Sequence, residues 1–567
     1  MAYGKLCCFL LLTLGILAAI IAPTIILTSK PSQARCRERG YLHGAVAADS
    51  KACSDIGRDV LKKQGSAVDA AIAALICTSV INPQSMGLGG GVIFTIYNAT
   101  TGKIEVINAR ETLPKSVEES LLSHCNASYS TLGHGSKWIG VPGELQGYQE
   151  AHRRYGRLPW SDLFQPTIQL LRGGLRVPKV LSQFLNHSDL QKLVYHSSLR
   201  QLFFRDNRVL KEGDVLEWPT MIETLETVAR LGAEALYKGE LANKLLEDIR
   251  KEGSILRAED LSEFQPEVVA PLKFDLGDYT LYSPPPPAGG AILSYILNVL
   301  KEFNFTKESV AQTKRKVDTY HLIAEVMKFA NGQKWKLYDR RNASNPKVLQ
   351  DLLSYSSAQQ TKKSIDNWGN HTLDKYSSIP HRSESPGTSH VSVISADGSA
   401  VSVTSTINVP FGSRVYSPST GIILNNEIWD FCQWSQDLKR KVVPGERPPS
   451  SMMPSILISR DKKSKLVIGG SGGEMIVSST ALAIMNKLWF GYDLKNAIRE
   501  PIFHVNGKAE IKVEKNFSKE IEDGLRERGH QVERNGLFLN VVQAIYQEGE
   551  CLYAESDKRK LGEASGY

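Results

Sequence analysis

The chain has 567 residues, 42% of them hydrophobic and 23% charged, with a formal net charge of +8. That is ordinary globular composition and enough chain for a large core or two cores. The basic runs Lys439-Arg440-Lys441, Lys462-Lys463 and Lys558-Arg559-Lys560 are short, scattered and not interleaved with aromatics, so they read as solvated surface and argue against a nucleic-acid stripe.

Residues 6–28 are almost wholly apolar and uncharged between Lys5 and Lys30, enough to span a bilayer as a helix. A cleaved signal peptide has a shorter apolar core, about 7–15 residues, so an uncleaved anchor is expected. Flanking charge orients it poorly, because Arg35, Arg37 and Arg39 lie beyond it and Lys5 stands alone before it. Acceptor sequons at Asn98, Asn126, Asn186, Asn304, Asn342, Asn370 and Asn516 all follow the apolar segment. They favour a lumenal or extracellular body and an inside amino terminus. Cys7 and Cys8 fall within the apolar segment, and no C-x-x-C pair suggests a zinc ribbon or a thioredoxin-like site.

Residues 31–44 read as a stalk. Residues 50–63 and 66–81 then have helical spacing, broken at Gly65. Cys53 and Cys77 lie symmetrically about Gly65, side by side in an antiparallel helix hairpin. A disulfide is expected there, with two buried free thiols as the alternative. Cys36, Cys125, Cys432 and Cys551 are left unpaired by the sequence.

The glycine run 87–91 precedes a strand, 92–97, and not a helix, so it is no dinucleotide fingerprint. No Gly-Lys-Ser or Gly-Lys-Thr provides a P-loop. A strand over 104–108 ends at Ala109-Arg110-Glu111, where Arg110 either clamps a carboxylate bidentately or makes a surface ion pair. Helices are predicted over 144–155, 161–171, 220–231, 233–251, 291–303 and 317–330, with a strand over 279–282. Residues 353–386 carry few large apolar groups and read as loop-like.

That loop delivers the chain to the stretch 385–408. Ala396-Asp397-Gly398 suits a three-residue hairpin loop with Gly398 in the left-handed position. Counting outward, Val393 faces Val401 and Val391 faces Val403 on an apolar side. Ser392 faces Ser402, His390 faces Thr404 and Thr388 faces Thr406 on a hydroxyl-rich side, the pattern of a half-buried sheet. Thr388 either starts a surface strand or, if the chain is cut after Gly387, gains an α-amine beside its own hydroxyl. An α-amine has a pKa of about 7.7–8.0 and is a usable base near neutrality. No His or Asp partner is then needed.

Downstream, Glu427 and Asp430 are three apart and either converge on one ammonium or are two solvated acids. Strands are expected over 422–426, 455–459, 466–468, 510–513, 540–546 and 551–554. The run Gly469-Gly470-Ser471-Gly472-Gly473 leads into an apolar helix, 475–489, and offers either backbone N–H donors for an oxyanion or a tight strand-to-helix turn.

Taken together, Ser385-Pro386-Gly387-Thr388-Ser389-His390, Asn-Ala-Arg-Glu at 108–111, Ser-Thr-Ile-Asn at 405–408, Asn-Asn-Glu at 425–427, Pro-Ser-Ser-Met at 449–452 and Gly-Gly at 472–473 resemble the γ-glutamyltransferases (γ-glutamyl transpeptidases, glutathione hydrolases) over nearly the whole chain. The wording at 87–95, 283–294 and 445–448 is most similar to the members that cleave leukotriene C4. The resemblance implies an α+β, four-layer αββα sandwich of the N-terminal nucleophile hydrolase type behind one transmembrane helix. It implies a cytoplasmic tail 1–5, a signal anchor 6–28, a stalk 29–44, a large subunit 45–387 and a small subunit 388–567. Thr388 would be nucleophile in self-cleavage and in turnover, with Thr406 on its hydroxyl. Arg110, Ser450 and Ser451 would hold the substrate α-carboxylate, and Asn408, Glu427 and Asp430 its α-amine. Gly472 and Gly473 would stabilise the oxyanion.

The implied substrates are glutathione, glutathione conjugates and leukotriene C4, cleaved through a γ-glutamyl ester and passed to water or to an amino-acid or dipeptide amine, with no cofactor or metal. Two departures stand out. The second disulfide near the middle of the larger subunit of the best-known relatives has no cysteine pair here, and residues 431–443 give no acceptor assignment. The alternatives are a catalytically retired membrane glycoprotein on the same fold and a different N-terminal nucleophile amidase, for example one cleaving β-aspartyl bonds.

Overall fold

The computed structural model describes residues 36, 40–118, 121–122, 125, 133–337, 339, 346–378, 387–434, 441–534 and 540–567. The apolar segment 6–28, Asn126, Asn342 and residues 385–386 and 435–440 lie outside them. No described helix is long and apolar enough to cross a membrane.

Two antiparallel sheets form the centre. In chain order their strands are β1 (Ala45–Ala47), β2 (Gly91–Tyr97), β3 (Ile104–Ala109), β4 (Glu267–Val269), β5 (Leu272–Asp275), β6 (Tyr279–Ser283), β7 (Ser389–Ile394), β8 (Ala400–Thr406), β9 (Ser455–Ser459), β10 (Ser464–Ser471), β11 (Val541–Glu548), β12 (Cys551–Ser556) and β13 (Ser565–Gly566). The helices that cover them are α1 (Lys51–Lys62), α2 (Ala67–Ile81), α3 (Glu144–Tyr155), α4 (Gly290–Lys301), α5 (Thr313–Asn331) and α6 (Met475–Leu488). One sheet has the order β13-β1-β7-β8-β2-β3-β4 and the other β12-β11-β10-β9-β6-β5.

The layering follows from which faces are apolar. Helix α2 lies on β7 and β8, and α3 on β2 and β3. All residues of α2 are buried, including five alanines that allow close approach to the sheet. On the opposite side α6 covers β10 and β11, and α4 covers β5 and β6. Between the sheets, β10 meets β7 and β8. The result is helix, sheet, sheet, helix, with one large apolar core under each helical layer.

The β7–β8 register pairs Val393 with Val401, Ser392 with Ser402, Val391 with Val403 and His390 with Thr404, around a loop in which Gly398 has φ +79°. Its apolar side enters the core under α2. Its hydroxyl side is not solvated, as a half-buried sheet would have it, but faces the second sheet. Ser402 donates to the Ile468 carbonyl at 2.9 Å and Ser392 to the Gln543 carbonyl at 3.3 Å. Burying those hydroxyls is tolerable because each finds an acceptor. An apolar part of the sheet–sheet contact runs through Ala45, Ala47, Ile394, Ala400, Ile456 and Val467.

The α1–α2 hairpin turns through Gln64 at φ +69° and restarts at Ser66, which accepts from the Asp69 amide at 3.0 Å in a capping box. Cys53 and Cys77 are joined by a disulfide, with Cα atoms 5.3 Å apart. The cysteines that the sequence left unpaired form Cys36–Cys551 and Cys125–Cys432.

Some expectations need correction. Residues 353–386 are not all loop-like: Tyr355–Ser364 is a helix, capped by Ser354, and Leu373–Tyr376 a helical turn. The stretch 161–171 divides into Trp160–Leu163 and Gln165–Arg172, and 233–251 into Glu234–Tyr237 and Glu240–Lys251 at Gly239. Gly469 and Gly470 belong to β10 and do not open a helix. A Cβ on Gly469 would sit 2.3 Å from the His390 ring, so the imidazole takes the space a side chain would need. The run 558–560 is only partly solvated surface: Lys558 is exposed, but Lys560 is 2% exposed.

Candidate active site

Thr388 sits just ahead of β7, buried, with φ +78°. That is the left-handed region, a strained conformation for a β-branched residue. Its amide donates to the Ser85 carbonyl at 3.0 Å and its hydroxyl to Thr406 Oγ1 at 3.0 Å. Thr406 Oγ1 also accepts from the Asn408 amide at 2.8 Å, which fixes its position at the end of β8. The preceding Gly387 has no room for a side chain, because a Cβ there would meet the Asn408 carbonyl oxygen at 1.7 Å.

His390 is the histidine nearest in sequence, and it is not a base for Thr388. Its Nδ1 lies 2.8 Å from Thr404 Oγ1 and its Nε2 3.0 Å from Ser392 Oγ, between the sheets. Burial lowers its pKa to about 3. The imidazole is neutral and engaged.

Gly472 and Gly473 connect β10 to α6, with φ +120° and +60°, conformations open to glycine. A Cβ on Gly472 would meet Asn540 Cα at 2.8 Å. The segment is coupled to Thr388 by a residue the sequence reading missed. Lys560 Nζ donates to the Thr388 carbonyl at 2.6 Å and to Ser471 Oγ at 2.9 Å, and pairs with Asp49 at 3.2 Å. Residues 49, 388, 471 and 560 meet only through the sheet order, and no local pattern marks Lys560 within its basic run.

The charged end of the site lies where β3, the 3₁₀ helix Glu427–Trp434 and the segment 448–451 converge. Arg110, 1% exposed, donates through Nε to the Pro448 carbonyl at 2.9 Å and through one terminal nitrogen to the Pro449 carbonyl at 2.8 Å. The same nitrogen is 2.6 Å from Asp430 Oδ2 and 2.7 Å from Glu427 Oε2. Asn408 Nδ2 donates to the other Asp430 oxygen at 3.0 Å. Asn408 thereby joins this end to Thr406. Burial pushes the Glu427 and Glu111 carboxyls up to about 8 against the pull of Arg110, and pushes Glu144 up to about 8 against its hydrogen bond from Tyr148. Ser450 and Ser451 follow the two carbonyls that hold Arg110. Ser450 is half-buried, with its oxygen accepting from the Met452 amide at 3.1 Å, and Ser451 is buried. A second missed residue, Arg447, is buried against the Phe264 ring and donates to the Arg110 carbonyl.

The sequence-predicted residues Thr388, Thr406, Asn408, Asp430, Glu427 and Arg110 thus form one connected network. Among the described sequon residues, Asn186, Asn304, Asn370 and Asn516 are exposed and Asn98 is half-buried.

A structure titled as cephalosporin acylase from Bacillus halodurans matches with TM-score 0.83 and 25% identity, over 95% of this chain and 98% of that one. The "Glutathione hydrolase 5 proenzyme" of Mus musculus is 55% identical over 577 residues, covering 100% of both chains. That of Homo sapiens is 56% identical over 587 residues, covering 100% of this chain and 99% of its own. The Gamma-glutamyltranspeptidase family profile matches residues 53–567, and the chain belongs to that family.

Proposed function

We propose that this chain is a precursor that severs its own Gly387–Thr388 bond and then acts as a γ-glutamyl hydrolase and transferase. The observation that carries this is the strained, buried Thr388 with its hydroxyl 3.0 Å from Thr406 Oγ1. In self-cleavage Thr388 Oγ bonds to the Gly387 carbonyl carbon, the C–N bond breaks, and the amine nitrogen takes the hydroxyl proton. Water then hydrolyses the ester, leaving a Gly387 carboxylate and a free Thr388 amine. That cut gives a large subunit, 45–387 after the stalk, and a small one, 388–567. The relatives that support the reading carry the word proenzyme in their descriptions.

In turnover the free amine takes the proton from Oγ as the oxygen bonds to the substrate γ-carbonyl carbon. The N–H groups of Gly472 and Gly473 receive the developing oxyanion. Losing one such donor costs about 2.7–4 kcal/mol in the barrier. The proton passes to the leaving nitrogen, the γ-glutamyl ester remains on Thr388, and water or an amine resolves it by the reverse path.

The charged end suits an amino-acid zwitterion. Arg110, with Ser450 and Ser451, takes the α-carboxylate; Asn408, Glu427 and Asp430 take the α-ammonium. Arg110 already touches Asp430 and Glu427, so a zwitterion enters by matching charges that the protein has paired internally. The substrates in this reading are glutathione, its S-conjugates and leukotriene C4, the last converted to leukotriene D4. The apolar segment 6–28 serves as a signal anchor with the catalytic body outside the cell, and the exposed sequon asparagines are consistent with that side.

The test is release of the acyl amino acid by the purified full chain: glutamate from glutathione, an S-alkyl glutathione and leukotriene C4, and aspartate from a β-aspartyl dipeptide, assayed in parallel. Release from the γ-glutamyl compounds alone is expected. Preference for the β-aspartyl bond, or no turnover of any, would overturn the reading.

A further inference from the structure

Two of the three disulfides among the described residues reach across the Gly387–Thr388 junction. Cys36 is bonded to Cys551, the first residue of β12, and Cys125 to Cys432, which shares its 3₁₀ helix with Glu427 and Asp430. The third, Cys53–Cys77, lies wholly before the junction. We infer that the processed protein is one covalent molecule of two chains, tied at two separate places by Cys36–Cys551 and Cys125–Cys432. This rests on the self-cleavage proposed above.

The two ties do different work. Cys125 and Cys432 are 0% and 2% exposed, in an apolar cluster with Leu113, Leu121, Trp138, Ile428, Phe431 and Val442. Exchange needs a thiolate in contact with a disulfide sulfur, so this burial shields the bond from a thiol substrate or its product. It fixes, from the larger piece, the helical turn on which the smaller piece carries two of its binding carboxylates. Cys36 stands in the stalk, eight positions after residue 28. Its bond joins β12 of the catalytic piece to the segment that leads to the proposed anchor, so the catalytic chain is retained covalently at the membrane. An extracellular location is the compartment in which such bonds persist.

Non-covalent association would hide the ties under native conditions. Strands β13, β7 and β8 come from the smaller piece and alternate in one sheet with β1 and β2 of the larger, and β5 and β6 of the larger complete the other. The pieces interlock, so a link is visible only after denaturation.

The experiment takes the full chain from the membranes of a secretory-pathway host. Thiols are blocked with N-ethylmaleimide before denaturation in dodecyl sulfate, and the sample is run with and without reductant. One band without reductant is expected, giving two with it, the smaller starting at Thr388. Two bands without reductant would overturn the inference while leaving self-cleavage standing. One band in both lanes, with no Thr388 amino terminus, would overturn the self-cleavage reading and this inference with it.

Replacing both Cys36 and Cys125 by Ser should free the small chain without reductant, and either substitution alone should not. Should the double variant fail to fold, a non-reduced digest of the unaltered protein decides. Linked peptides for 36–551 and 125–432 support the inference. Pairs confined to one piece, 36–125 and 432–551, overturn it.

Discussion

The two ends of the site are built differently. Around Thr388 the described contacts are hydroxyls, backbone groups and one lysine, and the histidine two residues away is neutral and turned into the sheet interface. Around Arg110 the protein packs a guanidinium, Asp430 and Glu427 into a dry space. In the proposed reading the first end supplies chemistry through position, with a strained residue, a fixed partner and donors at a strand end, and the second supplies selection through charge. Damage at the first should therefore appear in processing and kcat, and damage at the second in KM.

The largest effect expected is from Thr388→Ala, which should leave the chain uncut and lower kcat by about 10⁴–10⁶, the scale on which losing a nucleophile acts. Electrophoresis under reduction and glutamate release check it. A cut, active Thr388→Ala protein would break the comparison at its first end.

Arg110→Lys probes the other end. A lysine keeps the charge but loses the planar fork that reaches a carboxylate and two carbonyls together. The KM for glutathione should rise about 10–100-fold, as loss of about 1.4–2.7 kcal/mol of binding would give, while processing continues. A fall confined to kcat would place Arg110 in the chemistry and erase the distinction.

Lys560→Met sharpens the first end. The Lys560 nitrogen, 2.6 Å from the Thr388 carbonyl, places a cation beside the proposed amine. A neighbouring cation lowers the pKa of an amine. The free base is the active form, so its loss should move the acid limb of the kcat/KM profile to higher pH, with a fall in kcat of about 10-fold. Lys560→Arg should restore the limb. An unmoved profile would assign Lys560 to packing alone.

Glu144→Gln carries the smallest effect and tests the dry space. Tyr148 donates to its carboxyl, and burial pushes that carboxyl up to about 8. A folded-state pKa above the unfolded value means full stability below the unfolded pKa, lost as pH rises through about 8. The unaltered protein should lose thermal stability between about pH 4.5 and 8, and Glu144→Gln should flatten that slope. An equal slope in both would show the carboxyl is not strained by burial.

The same contrast governs what the sequence discloses. The β7–β8 register is readable because alternation and a glycine-bearing loop fix pairing locally, and Cys53 meets Cys77 by symmetry about Gly65. Arg110, Glu427 and Asp430 are marked only by family resemblance, since each is equally at home on a surface. Lys560, Arg447 and the bond between Cys125 and Cys432, 307 positions apart, depend on topology, which no window of residues contains. The solvent-facing pattern of Ser392 and Ser402 misleads for the same reason: a second sheet supplies the acceptors that water would otherwise provide.

In the proposed reading Thr388 becomes a chain end whose own amine serves its hydroxyl. Reduced, intact-mass analysis of active protein, with amino-terminal sequencing, tests it most directly. A small chain of residues 388–567 beginning at Thr388 is expected, with a γ-glutamyl adduct on that chain after acid quench with glutathione present. A chain whole across residues 387 and 388 that still frees glutamate from glutathione at full rate would contradict it.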